Sequence, residues 1–196
     1  TVFVEFNFAG LLYLALDQIF NQAHKFNEMM ACSKPLPIIY VLPTGTRGGL
    51  AGHHSDNPYA ITSNLGIPSY MPTNDVDVEH TFSHIIDSSR PSCLYLPVQC
   101  FHSSYKDFSS LSRDISYFGF YQLRSGMNIN IVVTGTSVNQ VLEYVNSAHV
   151  GLNPNVYILT DLSFSNETIS AIQSLPDLPT CFVDDSFETC GIATQF

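Results

Sequence analysis

Charged residues are scarce in this sequence, and most of those present are acidic. Only 12% of the 196 residues are charged, whereas typical soluble domains carry roughly 25%. The 17 acidic side chains outnumber the 7 lysines and arginines, which gives a net charge of -10. Because no cluster of basic residues is present, the sequence does not predict binding to nucleic acid through the phosphate backbone. So low a charge content suggests that other protein subunits cover much of the surface.

Long hydrophobic runs are also missing. No stretch reaches the roughly 18 apolar residues that a membrane-spanning helix needs, and the longest apolar run, residues 11–16, ends at Asp17. We therefore predict no membrane span. The chain is nevertheless 45% hydrophobic, which is ample for a core.

The cysteines do not form a recognisable pattern. Their number is odd, and none belongs to a pair separated by two residues. Buried free thiols in a reducing compartment are therefore the expected state. They are Cys32, Cys93, Cys100, Cys181 and Cys190.

Several signatures of catalytic and metal sites are missing as well. The sequence has no phosphate-binding Gly-x-x-x-x-Gly-Lys, no Gly-Asp-Gly and no Gly-x-Ser-x-Gly. His80 and His84 have a spacing that could bind zinc on a helix, but no third ligand is apparent. The adjacent His53 and His54, together with Asp56, form a second, weaker candidate, but adjacent residues rarely converge on one ion. We predict no metal site from either candidate.

What the sequence does contain is an alternation of apolar runs with amphipathic runs. Continuous apolar runs are typical of strands covered on both faces of a parallel sheet. Strands are predicted at residues 2–6, 36–42, 92–97, 129–134, 157–160 and 181–183, and helices at 11–30, 75–88, 137–149 and 166–174. The order strand, helix, strand occurs twice, which predicts an α/β fold with parallel sheets and right-handed crossovers.

The rhythm breaks in the middle of the chain. Residues 101–126 contain seven serines, several aromatic residues and no clear periodicity. We predict that they form a serine-rich linker between one domain at residues 1–100 and a second at residues 127–196.

Several short motifs follow one another in an order that is similar to a known family. They include EFNFAG at 5–10 followed by LDQIFNQAHK at 16–25, the glycine-rich PTGTRGGLAGHHSD at 43–56, LGIP at 65–68, VTGT at 133–136 and CGIA at 190–193. Together they resemble the beta subunit of the decarboxylating component of 2-oxo acid dehydrogenases. The resemblance implies a transketolase-like chain, cut short at both ends. The resemblance further implies that the chain consists of a parallel-sheet pyrimidine-binding-type domain and a truncated transketolase C-terminal-type domain.

The same resemblance implies thiamine diphosphate chemistry divided between two chains. In the family, the beta subunit supplies the pyrimidine half of the cofactor site, and an alpha subunit supplies the diphosphate and magnesium half. Asn7 and Leu11 match the family's cofactor-contacting positions, a glutamine and an aromatic residue, and Leu11 lacks the stacking ring. The glutamate that activates the cofactor lies upstream of the family segment matching residues 2–10.

His54 is the one catalytic candidate that the resemblance suggests. The matching histidine of the family lies near the substrate and assists acyl transfer, and an imidazole suits proton transfer near neutral pH. The alternative is a loop histidine without a catalytic partner. Arg90 stands where some family members bind potassium, so we expect that cation site to be lost.

These features leave three hypotheses for function. The first is a non-catalytic accessory or structural subunit of a larger complex on the matrix side of the mitochondrion, with no cofactor in the isolated chain. The second is a fragment of an active beta subunit, which uses thiamine diphosphate and magnesium with an alpha-type partner. The third is a free module whose glycine loop binds a small ligand. The first predicts protein partners, such as an alpha-type or a second transketolase-like chain, and poor solubility of the isolated chain.

Overall fold

A computed structural model describes residues 1–31, 33, 36–45, 51–99, 119–147, 151–186 and 190–194, with the side chains of His53 and Ala193 left out. Within these residues, eight strands form two four-stranded sheets. The predicted α/β architecture with two sheets is therefore observed.

The first sheet is entirely parallel, with the strand order β1-β2-β4-β3. Its central strands are covered on both faces, since neighbouring residues such as Cys93 and Leu94 are both fully buried. Helix α3 leads from β2 to β3, and helix α4 leads from β3 to β4. The elements are β1 Val2–Glu5, β2 Ile38–Thr44, α3 Tyr59–Asn64, β3 Ser69–Tyr70, α4 Asp75–Ser88 and β4 Ser92–Pro97.

The single helix predicted at residues 11–30 is wrong. A 3-10 turn precedes α1, a π-helical segment follows it, and α2 begins only after a break at Lys25, where ψ is 5°. The amide of Lys25 donates to the carbonyl of Phe20, five residues back, which is the π-helical pattern. The segments are the 3-10 turn Ala9–Leu11, α1 Leu12–Asp17, the π segment Gln18–His24 and α2 Phe26–Met29.

The apolar stripe of this region is covered in part by the chain itself. Leu12, Ile19 and Ala23 are buried in the core, whereas Met30 at the end of the stripe is 61% exposed. The first half of this stripe therefore packs within the chain, and its end stays exposed. None of the described helices is long and apolar enough to cross a bilayer.

The second sheet has the order β5-β7-β6-β8, with β5 antiparallel to β7 and the other pairs parallel. Its antiparallel edge strand departs from the prediction of purely parallel sheets. The elements are β5 Phe120–Arg124, β6 Asn130–Val133, α5 Ser137–Asn146, β7 Asn155–Leu159, α6 Asn166–Gln173 and β8 Thr180–Val183.

The position of β5 also corrects part of the predicted linker. Residues 120–124 form a strand whose side chains Phe120, Tyr121 and Leu123 are buried, so the end of the 101–126 segment belongs to the second sheet. Residues 100–118 lie outside the described residues.

The two sheets are joined through the short strand β3. Tyr70 and Asp161 form a β-bridge, the amide of Met71 donates to the carbonyl of Thr160, and the amide of Leu162 donates to the carbonyl of Ser69. Side chains from both sheets, including Tyr59, Tyr95, Phe120, Leu159 and Ile192, also share one hydrophobic cluster. The two halves therefore pack as one core.

A buried carboxylate makes a second link between the halves. Asp77, in the first turn of α4, accepts hydrogen bonds from the hydroxyl of Thr73 at 2.7 Å and the amide nitrogen of Asn74 at 2.7 Å. The hydroxyl of Tyr121, on β5, donates to the same Asp77 oxygen at 3.0 Å. Tyr121 therefore ties the second sheet to the start of α4.

Candidate functional site

The carboxyl ends of strands from both sheets meet at one place, which is where open parallel sheets usually bind ligands. β2 ends at Thr44, and its hydroxyl donates to the side-chain oxygen of Asn57 at 3.0 Å. The amide nitrogen of Asn57 then donates to Asp185, just after β8. The hydroxyl of Thr136, after β6, donates to the other Asp185 oxygen. One aspartate therefore bridges the two sheets.

His54 lies beside this junction on a 3-10 turn, Gly52–His54. Its ring packs edge-on against Phe8, with 4.3 Å between the ring centroids. Phe8 directly precedes the 3-10 turn that ends at Leu11. The structure thus places His54 next to the segment that carries Asn7 and Leu11, with Asn7 exposed and Leu11 half-buried. The roles predicted for these three residues stay predictions.

The base of the His54 loop is fixed by Asp56. The hydroxyl of Tyr13 donates to one carboxylate oxygen of Asp56, and the backbone amide of Asn57 donates to the other at 2.8 Å. The hydroxyl of Thr44 also donates to the Asp56 carbonyl, at 2.8 Å. Burial and the neighbouring Asp56 carboxylate raise the pKa of Tyr13, so its phenol stays neutral and keeps donating.

Asp184 is the first residue of the turn at residues 184–186, which also contains Asp185. Its half-buried carboxylate accepts hydrogen bonds from the hydroxyl of Tyr59 and from the amides of Ser186 at 3.1 Å and Ile192 at 3.3 Å. Loss of water around the group raises the pKa of Asp184, while these hydrogen bonds oppose the rise. Burial and the Asp184 charge also raise the pKa of Tyr59.

The junction therefore contains three carboxylates that are already engaged by neutral donors. In the described part of the chain, the hydrogen bonds to Asp56, Asp184 and Asp185 come from hydroxyl and amide groups and from no lysine or arginine. Such an arrangement holds the loops of the junction together. At the position that the resemblance assigns to a stacking aromatic residue, the described residues offer Leu11, which has no ring.

The candidate metal ligands do not assemble into a site among the described residues. No group of three histidine, cysteine, aspartate or glutamate side chains there could hold a metal ion. His80 and His84 are exposed on α4, and the His84 ring packs edge-on against Tyr70, at 5.6 Å between centroids. Gly48 and Gly49, in the glycine-rich loop, lie outside the described residues.

Sequence reasoning missed the residues that build the junction. Asn57, Tyr59, Asp184 and Asp185 belong to none of the quoted motifs, and Thr136 ends the VTGT motif without having been assigned a role. A usable signal was present, because Thr136 and the Asp184–Asp185 pair closely follow predicted strands, and the carboxyl ends of parallel strands converge.

The chain is similar to two curated bacterial proteins named pyruvate dehydrogenase E1 component subunit beta. It is 25% identical to that of Mycoplasma pneumoniae over 145 residues, 72% of this chain and 44% of the relative. It is 24% identical to that of Mycoplasma genitalium over 150 residues, 75% of this chain and 45% of the relative. The chain thus spans less than half the length of these relatives. No family model matches it.

Solved structures agree with this similarity. The transketolase from Campylobacter jejuni superposes with a TM-score of 0.67 at 13% identity, covering 95% of this chain and 29% of that one. The transketolase from Leishmania mexicana gives 0.63 at 15% identity, covering 94% and 27%.

The chain has a transketolase-like fold. The resemblance inferred from the sequence motifs is confirmed, and the chain is related to the E1 beta subunits of 2-oxo acid dehydrogenases. At this level of identity, the transketolase structures support the fold alone.

Proposed function

We propose that this transketolase-like chain is a non-catalytic, structural subunit of a larger protein complex, with a scaffold shared with E1 beta subunits. One observation carries the proposal. Asp184 and Asp185 tie loops of the two sheets together, and Asp56 fixes the base of the His54 loop, so all three junction carboxylates already hold the fold. Leu11, which offers no ring for stacking, stands where the family resemblance implies an aromatic residue.

Calorimetry with thiamine diphosphate, with and without magnesium, tests the cofactor part of this proposal. We expect no heat of binding from the purified chain, because neutral donors already occupy its junction carboxylates. Binding at micromolar concentration by the chain alone would contradict the proposal and favour the third hypothesis, a ligand-binding module.

The alternative of an active beta subunit needs a test in the assembled state. The chain is related to proteins whose name assigns them to pyruvate dehydrogenase, and His54 is the residue that such an activity would use. We would purify the complex through a tag on this chain and measure 2-oxo acid decarboxylation with wild type and with His54→Asn. His80→Asn is the matched control, since His80 is exposed on α4.

The two functions predict different results in that assay. For a structural subunit, both variants retain the decarboxylation rate of the wild-type complex, whether that rate is zero or is supplied by other subunits. A loss of about tenfold or more with His54→Asn alone would establish the active beta subunit instead.

The proposed location is the mitochondrial matrix, and its support is the resemblance to 2-oxo acid dehydrogenase subunits. Fractionation of cells followed by protease protection of isolated mitochondria tests it. We expect the chain to resist protease until both mitochondrial membranes are opened.

A further inference from the structure

Two buried side chains, one from each half of the chain, donate hydrogen bonds to the same carboxylate. The amide nitrogen of Asn57 donates to one oxygen of Asp185, and the hydroxyl of Thr136 donates to the other. Asn57 is 3% exposed and Thr136 is 7% exposed, so both donors need an acceptor away from water. They lie where the carboxyl ends of strands from both sheets meet, the usual place for ligands in open α/β sheets.

The two donors are oriented toward a negative group. The hydroxyl of Thr44 donates to the side-chain oxygen of Asn57 at 3.0 Å, which leaves the amide nitrogen of Asn57 facing Asp185. Thr136 occupies the cap position of α5, but its side chain does not cap the helix. Its hydroxyl serves the carboxylate instead. Because the amino end of a helix favours negative charge, an anion beside Thr136 also gains from the α5 dipole.

Two glycines let the backbone close around this carboxylate. An added Cβ at Gly45 would lie 2.8 Å from Cγ2 of Thr136. An added Cβ at Gly135 would lie 3.5 Å from a carboxylate oxygen of Asp185 and 2.6 Å from the sulfur of Met71. Both glycines have a positive φ, +86° and +60°. Glycines in this conformation commonly allow close approach of the backbone to a ligand.

We propose that Asn57 and Thr136 form a binding site for a carboxylate group, and that the turn at residues 184–186 is its built-in competitor. Asp185 occupies the site while the turn lies at the junction, and a small free carboxylate occupies it when the turn is displaced. Because Asp185 belongs to the same chain, its effective concentration at the site exceeds that of a dilute ligand. This inference goes beyond the proposed structural role and does not depend on it.

Chemical rescue tests whether the site accepts a carboxylate that is not part of the chain. The variant is Asp185→Ala, the probe is sodium acetate at neutral pH, and acetamide is a neutral molecule of the same shape. We expect Asp185→Ala to unfold at a lower temperature than wild type in scanning calorimetry. Acetate should raise its midpoint saturably, by roughly 3 to 6 °C at about ten times the acetate Kd. Acetamide, or sodium chloride at the same ionic strength, should not.

Three further proteins assign the effect of acetate to this site. Asp185→Ala combined with Thr136→Val lacks one donor, so acetate should no longer raise its midpoint. Wild type should not respond to the same acetate concentrations, because Asp185 already occupies the site. Asp177→Ala removes an exposed carboxylate outside the junction and should neither lower the midpoint nor respond to acetate. In Asp185→Ala, the NMR signals of the Asn57 side-chain amide should shift along the same titration.

Four results would overturn the proposal: no rescue of Asp185→Ala by acetate, equal rescue by acetamide, rescue that persists in the variant with Thr136→Val, or an equal response of wild type. If Asp185→Ala is unfolded without acetate, the same titration measures its refolding, and a failure to refold counts as no rescue. None of these results concerns thiamine diphosphate or the activity of His54, so a failure here is distinct from a failure of the proposed function.

Discussion

Among single residues, Gly119 combines a left-handed backbone with a close neighbour. Its φ is +93°, a region that residues with a side chain rarely adopt, and an added Cβ would lie 2.5 Å from the Cβ of Asp161. The carbonyl of Gly119 also accepts hydrogen bonds from the amides of Thr160 and Asp161. A shift of Gly119 would therefore disturb the segment that bridges to β3.

We expect Gly119→Ala to destabilise the chain more than Gly66→Ala. Gly66 has a similar φ of +73°, but nothing lies within 4 Å of an added Cβ, so alanine there costs about 1 to 2 kcal/mol of backbone strain. Gly119→Ala adds the steric overlap and should cost roughly 1 to 3 kcal/mol more. Urea unfolding of both variants measures the difference, and equal losses would contradict the steric argument.

Among the helices, α4 shows most clearly how local sequence signals determine where a helix begins. Asn74 has an extended backbone, and its side-chain oxygen accepts from the amide of Asp77 at 3.1 Å. Asp75 and Asp77 also favour the positive end of the helix dipole. These signals explain why the prediction of residues 75–88 agrees with the observed helix.

Replacement of this cap should weaken α4 and its contact with β5. We expect Asn74→Ala to lower the free energy of unfolding by about 1 to 3 kcal/mol, through the lost cap and the lost donor to Asp77. Asn166→Ala is the matched control, because Asn166 is exposed in the first turn of α6 and Ser165 provides the cap there. A change below about 0.5 kcal/mol is expected for the control. Equal effects in urea unfolding would contradict a capping role.

The elements that sequence patterns missed depend on distant contacts. The apolar stripe of residues 11–30 predicts one helix, yet the break at Lys25 follows from a π-helical hydrogen-bond register that periodicity does not report. β5 lies in an aromatic and serine-rich segment, and its strand is defined by pairing with β7 more than 30 residues later. α3 has only six residues, too few for a periodic signal.

Local sequence patterns predicted the candidate site only in part, because its contacts also join distant residues. The motif at residues 43–56 correctly indicated a loop that carries His54 at the end of β2. The contact of Asn57 with Asp185 joins residues 128 positions apart. Spacing within a motif could not have revealed that contact.

In the molecule as a whole, Tyr121 is a direct side-chain link between the two sheets. Its hydroxyl lies 3.0 Å from both the Asp77 carboxylate and the amide nitrogen of Asn74. We expect Tyr121→Phe to cost about 1 to 3 kcal/mol, since Asp77 is buried and loses a donor.

The shape of the unfolding transition is as informative as its midpoint. Because the halves share a core, scanning calorimetry of Tyr121→Phe should show one transition at a lower temperature. Tyr144→Phe, at a tyrosine that is 58% exposed, should unfold like wild type. Two separated transitions in either protein would contradict the shared core.

The two-residue strand β3 has a consequence for how such a chain can be recombined. Ser69 and Tyr70 pair with β4 on one side and with the backbone around Asp161 on the other. A hybrid that joins residues 1–100 to the corresponding second half of a relative would have to reproduce the register of that bridge. The halves are therefore interchangeable only where the backbone on both sides of the bridge keeps this register.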